Sequence, residues 1–240
     1  NSPKEKPQQG THESLFCARP GLDVWKASAW AESKDYYNPK EVMEAARLML
    51  TVADQYKGNN NFEYDLVDVL RQAVAEKGRL TLKIVSAAFM AEDKELFSQA
   101  SKRFLDLILL QDELLGTRKE FRVGNWTNMA RKIGASPEEK NLYEWNARVQ
   151  ITTWGNRSVS EQGKLHDYAH KEWNGILKDF YYMRWKTYFD ALNATLDGSL
   201  VPVLDWYAIE EPWTRISDTY SAEPEGNSVE VAKKVWELVF

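Results

Sequence analysis

Two histidines stand four residues apart in His166-Asp167-Tyr168-Ala169-His170. On a helix, residues at i and i+4 share one face, so both imidazoles could reach one metal ion. An acid directly follows the first histidine, as in the metalloprotease pattern, but it is Asp where that pattern has Glu. The aspartate is a methylene shorter than the general base this geometry uses. The remaining histidine, His12, lies in a ragged N-terminal stretch, and no later acid stands at a telling spacing. A zinc hydrolase is therefore a minor reading, since this motif alone often occurs by chance.

The other reactive groups are equally isolated. Cys17 is the single cysteine, which excludes a disulfide framework and any multi-cysteine metal site. Nothing marks a histidine partner that would make it a nucleophile. No glycine-rich phosphate loop is present. Glycoside chemistry needs two facing carboxyls, and the adjacent pair Glu210-Glu211 does not supply them. Neighbours on a helix diverge by about 100° and cannot flank one bond. The remaining acids read as solvated helix faces.

The elements that would position these groups are helical. Asn38-Pro39-Lys40-Glu41 and Ser136-Pro137-Glu138-Glu139 both carry a cap residue, a first-turn proline and a glutamate three residues after the cap, which is a helix-start signature. Apolar residues recur at helical spacing through 39–57, 62–91 and 92–115, with Gly78 expected to kink or split the second and Gly116 to cap the third. Further helices are expected through Trp126 and Ala130, over 137–154, 160–178, 180–196 and 202–217, and from Ser228 to Phe240. Residues 1–37 read as an irregular lead-in with Trp25 and Trp30 docked on the body. No window alternates with period two. The expectation is an all-α, single multi-helix domain of about seven to ten helices over 1–240.

A formal net charge of −5 argues against a nucleic-acid partner. No apolar run is long enough to span a membrane. The polar, proline-bearing start, Asn1 to Gly10, reads as a cut in a longer chain rather than a signal peptide. Aromatic residues are abundant, with Trp occurring 10 times; most are expected in the core, and the rest suit sugar faces or partner surfaces.

Several strings go beyond composition. Glu13-Ser14-Leu15-Phe16-Cys17-Ala18-Arg19-Pro20-Gly21-Leu22 opens the series, followed by Tyr64-Asp65-Leu66-Val67-Asp68-Val69-Leu70-Arg71-Gln72. The densest part runs from Phe121-Arg122-Val123-Gly124-Asn125-Trp126 through Tyr143-Glu144-Trp145-Asn146-Ala147-Arg148 to Gln150-Ile151-Thr152-Thr153-Trp154-Gly155. Asp167-Tyr168-Ala169 and Tyr182-Met183-Arg184-Trp185 follow in the same order. Together they resemble the C-terminal all-helical domain of the alpha-N-acetylglucosaminidases, glycoside hydrolase family 89, over nearly the whole chain.

The resemblance implies a domain that packs on a catalytic (β/α)8 barrel of the same polypeptide. That barrel would carry the two glutamates that remove terminal alpha-linked N-acetylglucosamine from glycans with retention. Neither glutamate's motif occurs here, so the chain alone is expected to be inactive. The resemblance also implies no cofactor and no metal. Trp154, Leu165 and Tyr168 match positions that wall the substrate pocket, with Leu165 and Tyr168 expected to share a helix face. Arg19, Asp65, Arg71 and Arg184 match as structural residues. Segment 156–163 is longer than the family pattern. Relatives are exported in bacteria and lysosomal in eukaryotes. The competing reading is a free-standing helical module that binds a protein through exposed aromatics.

Overall fold

The computed structural model describes residues 14–24, 37–200 and 203–240. Trp25, Trp30, His12 and Pro202 lie outside the described residues.

Six of the α-helices of the described residues begin at a side chain able to satisfy their free N–H groups. Asn38 accepts from the Lys40 N–H and opens α1, Pro39–Val52. Asn59 caps α2, Asn60–Met90, and Asp93 caps α3, Lys94–Gly116. A single turn, Lys119–Phe121, leads into α4, Val123–Arg131. Ser136 and Glu139 form the reciprocal capping box of α5, Pro137–Gln150. A wide turn at Leu177–Tyr181 runs directly into α6, Tyr182–Leu196. Asp205 caps α7, Trp206–Thr214, and Asn227 caps α8, Ser228–Val239.

The described residues form an all-α domain without strands; the only β-type pairing among them is an isolated bridge between Arg122 and Asn174. No helix of the described residues is long and apolar enough to cross a membrane.

α2 is the spine, about 46 Å long at 1.5 Å per residue. It packs against α1, α3 and α8, while α3 also packs against α6 and α5 pairs with α4. The centre is aromatic. Trp185 of α6 is fully buried and lies 4.5 Å from the Phe104 ring and 5.5 Å from Phe189. Phe16 meets Phe104 edge to face at 5.3 Å. Phe16 belongs to the N-terminal turn Leu15–Cys17, so this short segment is part of the core.

Four expectations need correction. Gly78 does not split α2, which is continuous. Its role is steric: a Cβ there would lie 2.5 Å from Phe16 Cε1. Alanine would gain about 0.5–1 kcal/mol of helix propensity, but it would push on a buried aromatic ring, at about 1–3 kcal/mol. Gly78→Ala should therefore lower the melting temperature; a rise would show that Phe16 yields freely. Gly116 does not cap α3 in a left-handed conformation; it is the last helical residue and Thr117 follows as the cap. α5 stops at Gln150, short of Trp154. The helix expected over 160–178 is absent. That stretch holds a five-residue wide turn, Ser158–Gln162, and then irregular backbone with positive φ at Lys164, Asp167 and His170. Bonds to distant elements win over local helix propensity there.

Candidate functional site

The site begins where α5 ends. Thr152 Oγ1 donates to Arg148 O at 2.7 Å, and the Trp154 N–H closes the turn on Val149 O at 2.7 Å. Trp154 has φ +62, a left-handed conformation uncommon for a bulky residue. The reversal turns its indole outward, where it stays 37% exposed. The chain then loops out. Asn156 Oδ1 caps the next turn by accepting from the Val159 N–H, and the chain returns at Asp167, whose N–H donates to Thr152 O at 2.9 Å. This bond sets the start and the return of the loop side by side.

Tyr168, 49% exposed, then meets Trp154 with ring centroids 4.8 Å apart and planes tilted by 48°. The structure thus brings two of the three expected wall residues together. Leu165 is half-buried in the turn that accepts the Tyr168 N–H. Leu165 and Tyr168 share this turn, not a helix face.

The two-histidine face does not form, because the segment is not helical. His166 Nδ1 lies 2.9 Å from Ser160 O and His170 Nδ1 lies 2.9 Å from Asp167 O. Each ring is turned to its own stretch of backbone. No group of three metal-ligating side chains occurs among the described residues. Cys17 is fully buried, and burial pushes its thiol well above the usual range. It is a core residue and not a poised thiolate.

Beneath the two exposed rings lies a set of buried charges. Asp167 is fully buried and receives Arg184 Nη2 at 2.8 Å and Nη1 at 3.0 Å. Arg184 also lies 2.8 Å from Glu210 on α7. Arg19 joins Glu210, at 2.9 and 2.8 Å, to Glu161 in the outer loop, at 3.0 and 2.7 Å. Burial pushes the Asp167 carboxyl up while Arg184 opposes it; burial pushes the Arg184 guanidinium down, but Asp167 and Glu210 together outweigh it and lift it above its usual range. Arg19 and Arg184 are engaged in buried and part-buried ion pairs here, as expected of structural arginines. Arg71 pairs with Asp68 at 2.6 Å and lies over the Phe121 ring, whereas Asp65 is exposed on α2. Glu210 and Glu211 turn to different partners, Glu211 meeting Arg215 at 2.6 Å. Glu161 and Glu210 were not visible as partners in the sequence. Helix-surface acids carry no mark of a guanidinium that arrives from far along the chain.

The far end of the loop is pinned at Asp112 of α3. Its carboxylate accepts from the Gly175 N–H at 2.6 Å, the Lys178 N–H at 3.2 Å and Asn174 Nδ2 at 2.8 Å. Burial nevertheless pushes this carboxyl up to about 6. A raised value means the folded state favours the proton. The associated stability is present below about pH 4 and is lost as pH rises through about 6. Relative to Asp112→Asn, which does not titrate, the wild type should lose roughly 2–3 kcal/mol between pH 4 and 7. Urea unfolding at the two ends of that range checks it; a pH-independent difference would refute the shift.

The family described as the alpha-N-acetylglucosaminidase (NAGLU) C-terminal domain matches residues 2–237. Alpha-N-acetylglucosaminidase of Homo sapiens is 30% identical over 236 residues, which is 95% of this chain and 30% of that protein. A family 89 glycoside hydrolase from Clostridium perfringens, solved in complex with its substrate GlcNAc-alpha-1,4-galactose, superposes with a TM-score of 0.91 at 36% identity, covering 96% of this chain and 27% of that one. The family 89 enzyme of the same organism in complex with PUGNAc gives 0.93 at 35% identity, over 99% of this chain and 28% of that one. The chain thus spans less than a third of the length of each of these relatives. Family match, sequence identity and backbone superposition agree, and the chain belongs to the alpha-N-acetylglucosaminidase C-terminal domain family.

Proposed function

We propose that this chain is the noncatalytic helical domain of a retaining glycoside hydrolase that removes terminal alpha-linked N-acetylglucosamine from glycans. It packs on a catalytic barrel of the same polypeptide and lends Trp154, Leu165 and Tyr168 to the wall of the sugar pocket. The observation that carries this reading is the exposed Trp154–Tyr168 pair, held 4.8 Å apart by a loop with strained backbone. Two aromatic rings left in solvent, Trp154 on a left-handed backbone and Tyr168 next to the left-handed Asp167, are hard to explain as packing within this domain alone. Against a pyranose, the rings offer apolar faces to the C–H groups, and the Tyr168 hydroxyl offers a hydrogen bond.

Four of the buried acids are already committed and do not suit the hydrolytic step. Retention needs two carboxyls roughly 5 Å apart, free to attack and to exchange a proton. Asp167 and Glu210 are occupied by guanidiniums, Glu144 by Arg148 and Arg131, and Asp112 by amides. In this reading the attacking and proton-donating groups belong to the barrel. An apolar hollow of about 530 Å³ between α4 and α5, flanked by exposed Met129 and Ile133, suits packing against further polypeptide. The compartment follows the enzyme: export in a bacterium, the lysosome in a eukaryote.

The test uses the full-length polypeptide and an aryl alpha-N-acetylglucosaminide. Trp154→Ala should lower kcat/KM by about 10- to 100-fold, with the melting temperature nearly unchanged, and the 240-residue chain alone should show no turnover. Unchanged kinetics would reduce Trp154 to a packing residue, and comparable turnover by the short chain would relocate the reactive acids into this domain.

A further inference from the structure

The loop that presents Tyr168 is costly to hold in place. Trp154, Lys164, Asp167 and His170 all have positive φ, at 62, 53, 57 and 24 degrees, a region that favours glycine and disfavours side chains. Such a path persists only where surrounding contacts over-determine it. Those contacts converge on one residue. The Asp167 N–H reaches back to Thr152, two residues before Trp154. Its carbonyl accepts from, or faces, the His170 ring at 2.9 Å. Its carboxylate takes both terminal nitrogens of Arg184. Asp167 has no exposed surface, while its neighbour Tyr168 stands half in solvent. The inward grip of one residue therefore fixes the outward direction of the next.

We infer that Asp167, clamped by Arg184, is the positioning residue that sets Tyr168 against Trp154. Arg184 in turn is held by Glu210, and Arg19 links Glu210 to Glu161, so the N-terminal turn, α6, α7 and the outer loop are tied at one point. Buried ion pairs add little net stability against well-packed apolar residues. What a bidentate guanidinium–carboxylate pair does supply is direction, because both hydrogen bonds must be met at once. The cluster is aimed where direction is needed. This inference rests on the reading of Trp154 and Tyr168 as pocket wall.

A double-mutant cycle in the full-length polypeptide tests it, with kcat/KM on an aryl alpha-N-acetylglucosaminide as the readout. Tyr168→Ala is expected to lower kcat/KM about 10- to 100-fold and Asp167→Asn about 10-fold. The double variant should be no worse than Tyr168→Ala alone, because Asp167 has nothing left to position. A merely structural role lowers the active fraction whatever occupies position 168, so multiplicative effects would overturn the inference while leaving the pocket reading intact. No effect of Tyr168→Ala would overturn both. Should Asp167→Asn fail to fold, Arg184→Lys, which keeps the charge and loses the planar fork, takes its place in the same cycle with the same expected outcomes.

Discussion

Glu144→Gln should lower the stability of this domain by about 3–5 kcal/mol, the cost of leaving a buried charge without its counter-ion. For a chain of this size that is a drop of about 10 °C in melting temperature. Glu144 and Arg148 lie on α5 with side chains 1% and 0% exposed. Glu144 Oε1 receives Arg148 Nε at 2.9 Å and Nη2 at 2.6 Å. Its other oxygen receives Arg131 at 2.8 Å and the Asp218 N–H at 2.9 Å. With the carboxylate removed, Arg131 can turn to Asp218, which already lies at 3.4 Å on the surface. Arg148 has no such exit. It is left with Thr219 and the faces of Trp213 and Tyr220, and a cation–π contact worth about 1–2 kcal/mol does not replace a carboxylate. The double variant Glu144→Leu with Arg148→Met should be more stable than Glu144→Gln, since no orphaned charge remains. Calorimetry on the wild type and the two variants decides; a double variant no more stable than Glu144→Gln would refute the account.

Trp185→Ala should cost about as much, 3–5 kcal/mol, by opening a cavity at the centre of the core. The indole has no exposed surface, and its Nε1–H donates to Phe16 O at 3.0 Å. Its loss therefore also strands a buried carbonyl and frees the turn that carries Phe16. Trp185→Phe should fill most of the space and cost about 1–3 kcal/mol, mainly the unmet carbonyl. Arg184, the preceding residue, also contacts this turn through Cys17 O at 3.4 Å. In Trp185→Ala the segment ahead of Leu22 should become the earliest site of proteolytic cleavage among the described residues, and equal protection in wild type and variant would contradict this anchoring.

The helices were legible because their signals are local. The Ser136 cap and its Glu139 partner lie within one turn and form the box their order predicts. Asn38 caps as expected, although its side chain takes the Lys40 N–H rather than that of Glu41. The loop over 163–176 was illegible for the converse reason. It holds enough helix-forming residues to suggest a helix, yet its bonds run to Thr152 on one side, Arg184 on another and Asp112 at its end. Gly78 misled in the same way: a glycine within a helix usually weakens it, and only Phe16, more than sixty residues earlier, explains its presence. Trp154 and Tyr168 came from resemblance in sequence order. Periodicity alone could not have paired them, since the contact depends on the loop's return. The rival reading as a free-standing interaction module loses ground to family membership.

The return at Asp167 has a consequence for how this surface can change. Trp154 is fastened to α5 through Val149, and the chain comes back through Thr152. Both fastenings are indifferent to how many residues lie between them. Doubling the length of a flexible excursion costs only about 0.6 kcal/mol in closure entropy. Within Gly155 to Leu165, length can thus change in descent on either side of the ties that Ser160 and Glu161 make to Arg19, while both rims keep their station.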